Sequence, residues 1–240
     1  MWLRLSAIVL AALAAALLAV SGLGVRAGLW PFQFGIALFS AVVVAGLAAA
    51  AAAIIALAIP RIRAGWIPRL LAALLLGAAS ALVPLEFLRQ ARALPPIHDI
   101  TTDTERPPQF VAIVPLRAGA PNPPGYEGEK LAAIQKLAYP EIRPLELAAP
   151  PGEVFPRAAA AAQAMGWEVV AKDEKAGRIE AVATTRWFGF KDDVVIRIAP
   201  AGAGSRVDVR SKSRVGRSDV GANAKRIREF LTALSKKAYS

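Results

Sequence analysis

Long apolar runs fill the first part of the chain, and shorter alternating patterns fill the last part. No charged side chain occurs from Leu5 to Val25 or from Ala27 to Pro60, stretches of 21 and 34 residues. A bilayer core of roughly 30 Å needs about 20 helical residues, so each run predicts one membrane span. A third segment, Trp66 to Leu88, has an uncharged heart of 16 residues from Leu70 to Leu85, interrupted near its ends by Pro68 and Pro84. Arg69 and Glu86 lie within a turn of those ends, where charged groups reach the headgroups. The pattern predicts spans at about 5–25, 30–58 and 66–88, with Trp2, Trp30, Trp66 and Phe87 at the interfaces. A cleaved signal peptide over Met1 to Ala27 is the alternative for the first run. It lacks a clear small-x-small site, and its removal leaves the rest of the chain on the same side.

Residues 91–150 show no sustained period. Pro95-Pro96, Pro107-Pro108 and Pro123-Pro124 predict an extended tether, with a short strand at Gln109 to Leu116 and a brief helix on Leu131, Ile134, Leu137 and Ala138. From 151 to 240 the pattern predicts a soluble domain. Phe155, Ala158, Ala162 and Met165 form one helical stripe, closed by Gly166. Trp167 to Lys172, Arg178 to Trp187, Asp193 to Ala199 and Arg206 to Lys212 alternate with period two, joined by hairpin-length turns. Ile179, Ala181, Ala183, Val194, Ile196, Ile198, Val207 and Val209 share one face, and Glu180, Arg197, Arg206, Asp208 and Arg210 share the other. A last amphipathic helix runs from Asp219 to Lys237 on Val220, Ala224, Ile227, Leu231 and Leu234. The predicted fold is three N-terminal transmembrane α-helices over 1–90, then a C-terminal two-layer α+β domain with an antiparallel sheet of about four strands and two packing helices.

Composition sharpens this picture. Apolar residues make up 55 % of the 240, and the net charge is +11. Divided along the chain, that charge is +5 over 1–90, −1 over 91–203 and +7 over 204–240, so the basicity of the soluble part sits in its tail. Nucleic acid is not an expected partner. The absence of cysteine excludes disulfides, thiol nucleophiles and cysteine-based zinc sites. Arg4, Arg61, Arg63 and Arg69 on one side outnumber Arg26, Arg89 and Arg92 on the other, which leans toward a cytoplasmic N-terminus and a periplasmic C-terminal domain. A re-entrant third segment reverses that assignment.

The most distinctive chemistry lies where a basic strand end meets the start of the last helix. Arg210, Lys212, Arg214, Gly216, Arg217, Ser218 and Asp219 form a candidate anion site, because helix N-termini offer unpaired N–H groups and glycines permit close approach. The competing structural reading has Ser218 or Asp219 capping the helix and the arginines pairing with Asp192, Asp193 and Asp208. Asp192 and Asp193 point to opposite faces of a strand and do not make an acid/base pair. His98 is the sole histidine, and beside Asp99 and Asp103 it lacks the partners a metal site needs. No catalytic residue, metal or cofactor is therefore assigned. Trp187, Phe188 and Phe190 either cover the edge of the sheet or enter the membrane interface, with the former favoured.

Thr185-Arg186-Trp187-Phe188-Gly189-Phe190-Lys191-Asp192-Asp193, Val207-Asp208-Val209-Arg210-Ser211-Lys212-Ser213-Arg214-Val215-Gly216 and Ser218-Asp219-Val220-Gly221-Ala222-Asn223-Ala224 resemble the domain of unknown function 1499 family, as do Pro96 to Asp103 and Tyr139-Pro140. The resemblance covers roughly 95–236. It implies a bacterial, often membrane-tethered protein and brings no established activity. The expected role is an extracytoplasmic interaction module of a multi-pass inner-membrane protein, its partners the lipid bilayer and an envelope protein or anionic lipid headgroup. A lipid- or phosphate-handling enzyme or transport accessory, and a cytoplasmic membrane-anchored regulator, are the alternatives.

Overall fold

The computed structural model describes residues 2–236. The chain divides into two compact units, Met1–Arg92 with Arg186–Gly189, and Ala93–Thr185 with Phe190–Ser240.

The first unit contains α1 (Trp2–Arg26), α2 (Phe32–Ala58), a single turn α3 (Pro60–Arg63) and α4 (Ile67–Ala93). α1, α2 and α4 are long and apolar enough to cross a membrane. The third segment is a full-length helix despite its prolines. Pro68 falls in the first turn of α4, where a missing N–H costs nothing, and the helix continues through Pro84. Small side chains face inward: Ala7, Ala11 and Ala14 on α1, Gly46, Ala49, Ala53 and Ala56 on α2, and Ala73, Gly77 and Ala81 on α4 are buried. Val9, Leu13, Val44, Leu47, Ile54, Leu75 and Leu82 point outward. That polarity of size, small within and large without, suits a lipid-facing exterior, where close backbone packing replaces hydrophobic burial. A Cβ on Gly46 would come within 2.5 Å of the Gly77 carbonyl oxygen, so α2 and α4 cross at a glycine pair.

The second unit is built on an antiparallel sheet of six strands, not about four. β3 (Glu168–Asp173), β4 (Arg178–Thr184), β5 (Lys191–Ala201) and β6 (Gly204–Ser213) are the strands the alternation predicts. β1 (Asp99–Thr101) and β2 (Leu145–Leu147) both pair with β6, in a sheet of order β1-β6-β5-β4-β3. Each is three residues long, too short for a period to register. Register places Ile179 opposite Ile196 and Ile196 opposite Val209, which aligns the apolar positions across the sheet. α6 (Pro151–Ala164) and α7 (Ala222–Lys236) cover that face with Val154, Phe155, Ala158, Ala162, Ala224, Ile227, Phe230 and Leu234. Trp167 stacks on Phe230 with ring centroids 5.4 Å apart.

α5 (Glu129–Ala138) forms where the helical spacing predicts a helix, but it buries Leu131, Ala132 and Gln135 and leaves Ile134 and Leu137 of the predicted stripe exposed; Leu131 joins the same core. Gln109 to Leu116 does not form the expected strand. It bends into a 3-10 turn at Val114–Arg117. Phe110 and Ile113 are buried there against Val182 and Val195, on the face of the sheet opposite the helices.

Candidate functional site

Except for Asp192, the charged side chains of β4, β5 and β6 project to that second face, as period two requires. The proline-rich stretch lies over them and supplies their partners. Asp99, fully buried, accepts from Arg210 Nε at 2.9 Å and Nη2 at 2.8 Å, and its carboxylate also lies 3.2 Å from Lys212 Nζ. Arg210 and Lys212 are themselves without exposure. Arg210 Nη1 and Nη2 donate to the carbonyls of Pro108 and Pro124, and its guanidinium lies 4.9 Å from the centre of the Phe110 ring and 5.4 Å from that of Tyr126. Lys212 Nζ donates to the Gly125 carbonyl at 2.8 Å.

A second knot forms on Asp193, which accepts from Arg117 Nη1 at 2.6 Å and from both Nε and Nη2 of Arg214. Arg117 reaches on to the carbonyls of Asn122 and Ser213. A third gathers Asp103 and Asp208 between Arg197 and Arg206. Burial pushes the Asp103 carboxyl upward, but the Arg106 backbone N–H and the Arg197 and Arg206 guanidiniums outweigh it and hold the group below its ordinary value. Glu180 is the fourth anchor. Its buried carboxylate accepts the backbone N–H groups of Val111, Ala112 and Ile113 at 3.0 to 3.1 Å and faces Arg178 Nε at 3.1 Å.

The seven residues of the predicted anion site do not share one set of partners. Arg210, Lys212 and Arg214 are engaged as described. At the start of α7, the Asp219 carboxylate accepts the N–H groups of Gly221 at 2.8 Å and Asn223 at 2.9 Å, while Ser218 Oγ accepts that of Val220. The helix N-terminus thus carries its own carboxylate. Burial raises the Asp219 pKa despite those hydrogen bonds. Gly216, at φ 90°, turns the chain between strand and helix, and its carbonyl accepts from Asn122 Nδ2. Arg217 is exposed and has no ion pair among the described residues. Asp192 pairs with Arg226 at 2.6 Å on the opposite face of β5 from Asp193.

His98 Nε2 lies 3.0 Å from Glu127, and among the described residues no group of three or more histidines and carboxylates is placed to hold a metal ion. Trp187 and Phe188 do not cover the sheet edge. They belong to the helical unit, where the Trp187 indole N–H donates to the Ala19 carbonyl at 3.3 Å and both rings meet Phe39 edge-on.

Asp99, Arg117 and Asn122 are the partners that the sequence did not announce. The charge-bearing face of the strands was visible, whereas its partners lie in a segment without period. The Arg210 guanidinium finds its carboxylate 111 positions away.

This arrangement spans the region that the family model for "Protein of unknown function (DUF1499)" matches, residues 99–234. The chain belongs to that family. The DUF1499 match begins at Asp99, the first residue of β1 and the partner of Arg210, so the irregular stretch beneath the charged face is part of the family domain. No curated protein matches the chain. Among solved structures, the crystal structure of TTHA0849 from Thermus thermophilus is similar at 14 % identity, over 40 % of this chain and 94 % of that one, with a TM-score of 0.26, too low to carry an inference.

Proposed function

We propose that this DUF1499 protein is a multi-pass membrane protein of the bacterial envelope, whose sheet domain is an interaction module on the periplasmic side. The observation that carries this reading is the odd number of helices long enough to cross among the described residues, three, combined with the placement of arginines at their ends. Arg4, Arg61, Arg63 and Arg69 fall at the ends retained in the cytoplasm, and Arg26, Arg89 and Arg92 at the others. An odd number of crossings puts the domain after α4 opposite the start of α1.

Binding, not catalysis, is the role the second unit's chemistry favours. Its strongest electrostatic groups hold its own chain together, with each buried carboxylate spent on guanidiniums or backbone N–H groups. Because Arg210, Lys212 and Arg214 are so engaged, a protein partner is favoured over an anionic headgroup at this end of the domain, with exposed Arg217 as the available contact.

Fusing alkaline phosphatase, active only outside the cytoplasm, to the C-terminus tests the compartment. An active fusion is expected, and a silent fusion beside an active cytoplasmic reporter at the same position overturns the periplasmic assignment. Crosslinking from a photoreactive residue at 217 in native membranes, compared with one at 210, tests the contact; adducts are expected from 217 alone.

A further inference from the structure

The helical unit carries a cluster of positive charge that its own chain does not compensate. α3 and the turn through Gly65, at φ 69°, bring the start of α4 back beside the start of α1. There Arg4 Nη2 donates to the Arg61 carbonyl at 2.8 Å. The guanidiniums of Arg4 and Arg69 each lie 5.4 Å from the centre of the Trp66 ring. Trp66 is held by backbone hydrogen bonds on both sides, its N–H donating to Arg63 and its carbonyl accepting from Leu70. It also packs against the core formed by Ala7, Ala11, Ala53 and Leu70.

None of Arg4, Arg61, Arg63 or Arg69 has an ion pair among the described residues. Glu86 is the sole carboxylate of the helical unit, and it is occupied by Arg89 and Gln90. It also stands 17 positions along α4 from Arg69, or roughly 25 Å at 1.5 Å per residue. The Nε of Arg4 is buried with no hydrogen-bond partner, a donor left over after Nη2 has been used. Guanidiniums gathered on one indole repel one another, and a cation near hydrocarbon is costly unless an anion joins it. Arginine's fork matches the oxygens of a phosphate, and its weak hydration suits the membrane interface.

We propose that Arg4 and Arg69 around Trp66 form a binding site for the phosphate of an anionic lipid headgroup, one that carries no cationic group of its own. Arg4 and Arg69 clamp the phosphate oxygens from α1 and α4, and Trp66 fixes both clamps at the depth of the headgroups. The site lies within the helical unit and is independent of the compartment assigned to the sheet domain.

The test uses the purified full-length chain in neutral detergent and follows thermal unfolding of the helical unit. Short-chain phosphatidylglycerol is added in one arm, phosphatidylcholine of the same chain length in a second, and inorganic phosphate in a third. Phosphatidylglycerol is expected to raise the melting temperature by about 3 °C or more, and the other two by less than about 1 °C. The double substitution Arg4→Gln/Arg69→Gln abolishes the shift, while Arg92→Gln at the far end of α4 keeps it. A shift retained by the double variant, or absent from the wild type, overturns the site. An equal shift with inorganic phosphate supports an anion site and overturns the lipid as its source. Should the double variant fail to fold, the wild type in vesicles containing spin-labelled lipids decides the matter. A larger motionally restricted fraction for phosphatidylglycerol than for phosphatidylcholine supports the site, and equal fractions overturn it.

Discussion

The two faces of the sheet are covered by opposite means. One meets α6 and α7 through Ile179, Ile196, Val209, Ile227 and Phe230, all fully buried, in the ordinary manner of an amphipathic helix on a sheet. The other meets an irregular, proline-rich stretch through Asp99, Glu180, Asp193, Arg210 and Lys212, also buried. A chain segment without regular structure has backbone N–H and C=O groups to satisfy, so charged partners can order it where apolar ones cannot. Burial on this sheet does not follow hydrophobicity. It follows whether the covering segment brings its own hydrogen bonds.

The sharpest break between the faces comes from removing one half of a buried pair. Asp99→Ala leaves Arg210 and Lys212 buried without their shared carboxylate and is expected to cost about 3–5 kcal/mol in urea unfolding of the detergent-solubilised full chain. Phe230→Ala on the apolar face costs a similar ~3–5 kcal/mol through the cavity it leaves. The faces part on the second substitution: adding Arg210→Met to Asp99→Ala recovers much of the loss, because no orphaned guanidinium remains. No partner substitution does the same for Phe230.

Next in size is Glu180→Gln. It keeps the shape of the acceptor but removes its charge, and loses about 1.5–3 kcal/mol with faster amide exchange at Val111, Ala112 and Ile113. The amides of the neighbouring strand β5 keep their local protection relative to global unfolding.

Acid separates the faces further through Asp103, which lies among the charges of the second face. Asp103 is held below its ordinary value of 3.8, so its contribution is complete above that value and disappears as the pH falls through the lower folded value. Asp103→Asn flattens this acid limb. Asp219 runs the other way: its folded value is raised, so the stability linked to its protonation is full below 3.8 and fades as the pH rises through that raised value. The smallest expected effect is that of Asp219→Ala, about 0.5–2 kcal/mol at neutral pH from the lost cap of α7, read as fraying of Ala222 to Lys225 by amide exchange.

The sequence disclosed those elements whose physics is periodic. The uncharged runs marked α1, α2 and the heart of α4, and alternation marked β3 to β6, because each pattern repeats over several turns or strand residues. It also marked Glu180, Asp208 and Arg210 as one face. What covered that face was hidden, since Asp99 and Arg117 sit among prolines where neighbouring residues predict nothing about distant contacts. β1 and β2 were invisible for the same reason, being three residues each and recognisable only by pairing with β6. In the candidate anion site, the capping role of Asp219 was legible from its position before α7. The commitment of Arg210 to Asp99 was not, because an arginine on a strand advertises charge and does not name its partner.

Hydrogen exchange of the full-length chain, resolved at Val111 to Ile113, interrogates the charged face most directly. If Glu180 holds these three amides as a fixed layer of the domain, their protection matches that of Val194 to Ile196 within about tenfold, although none of them lies in a helix or strand. Exchange at the rate of an open loop, with β5 still protected, would show that the proline-rich stretch is a loose tether and that the buried charges beneath it answer to something else.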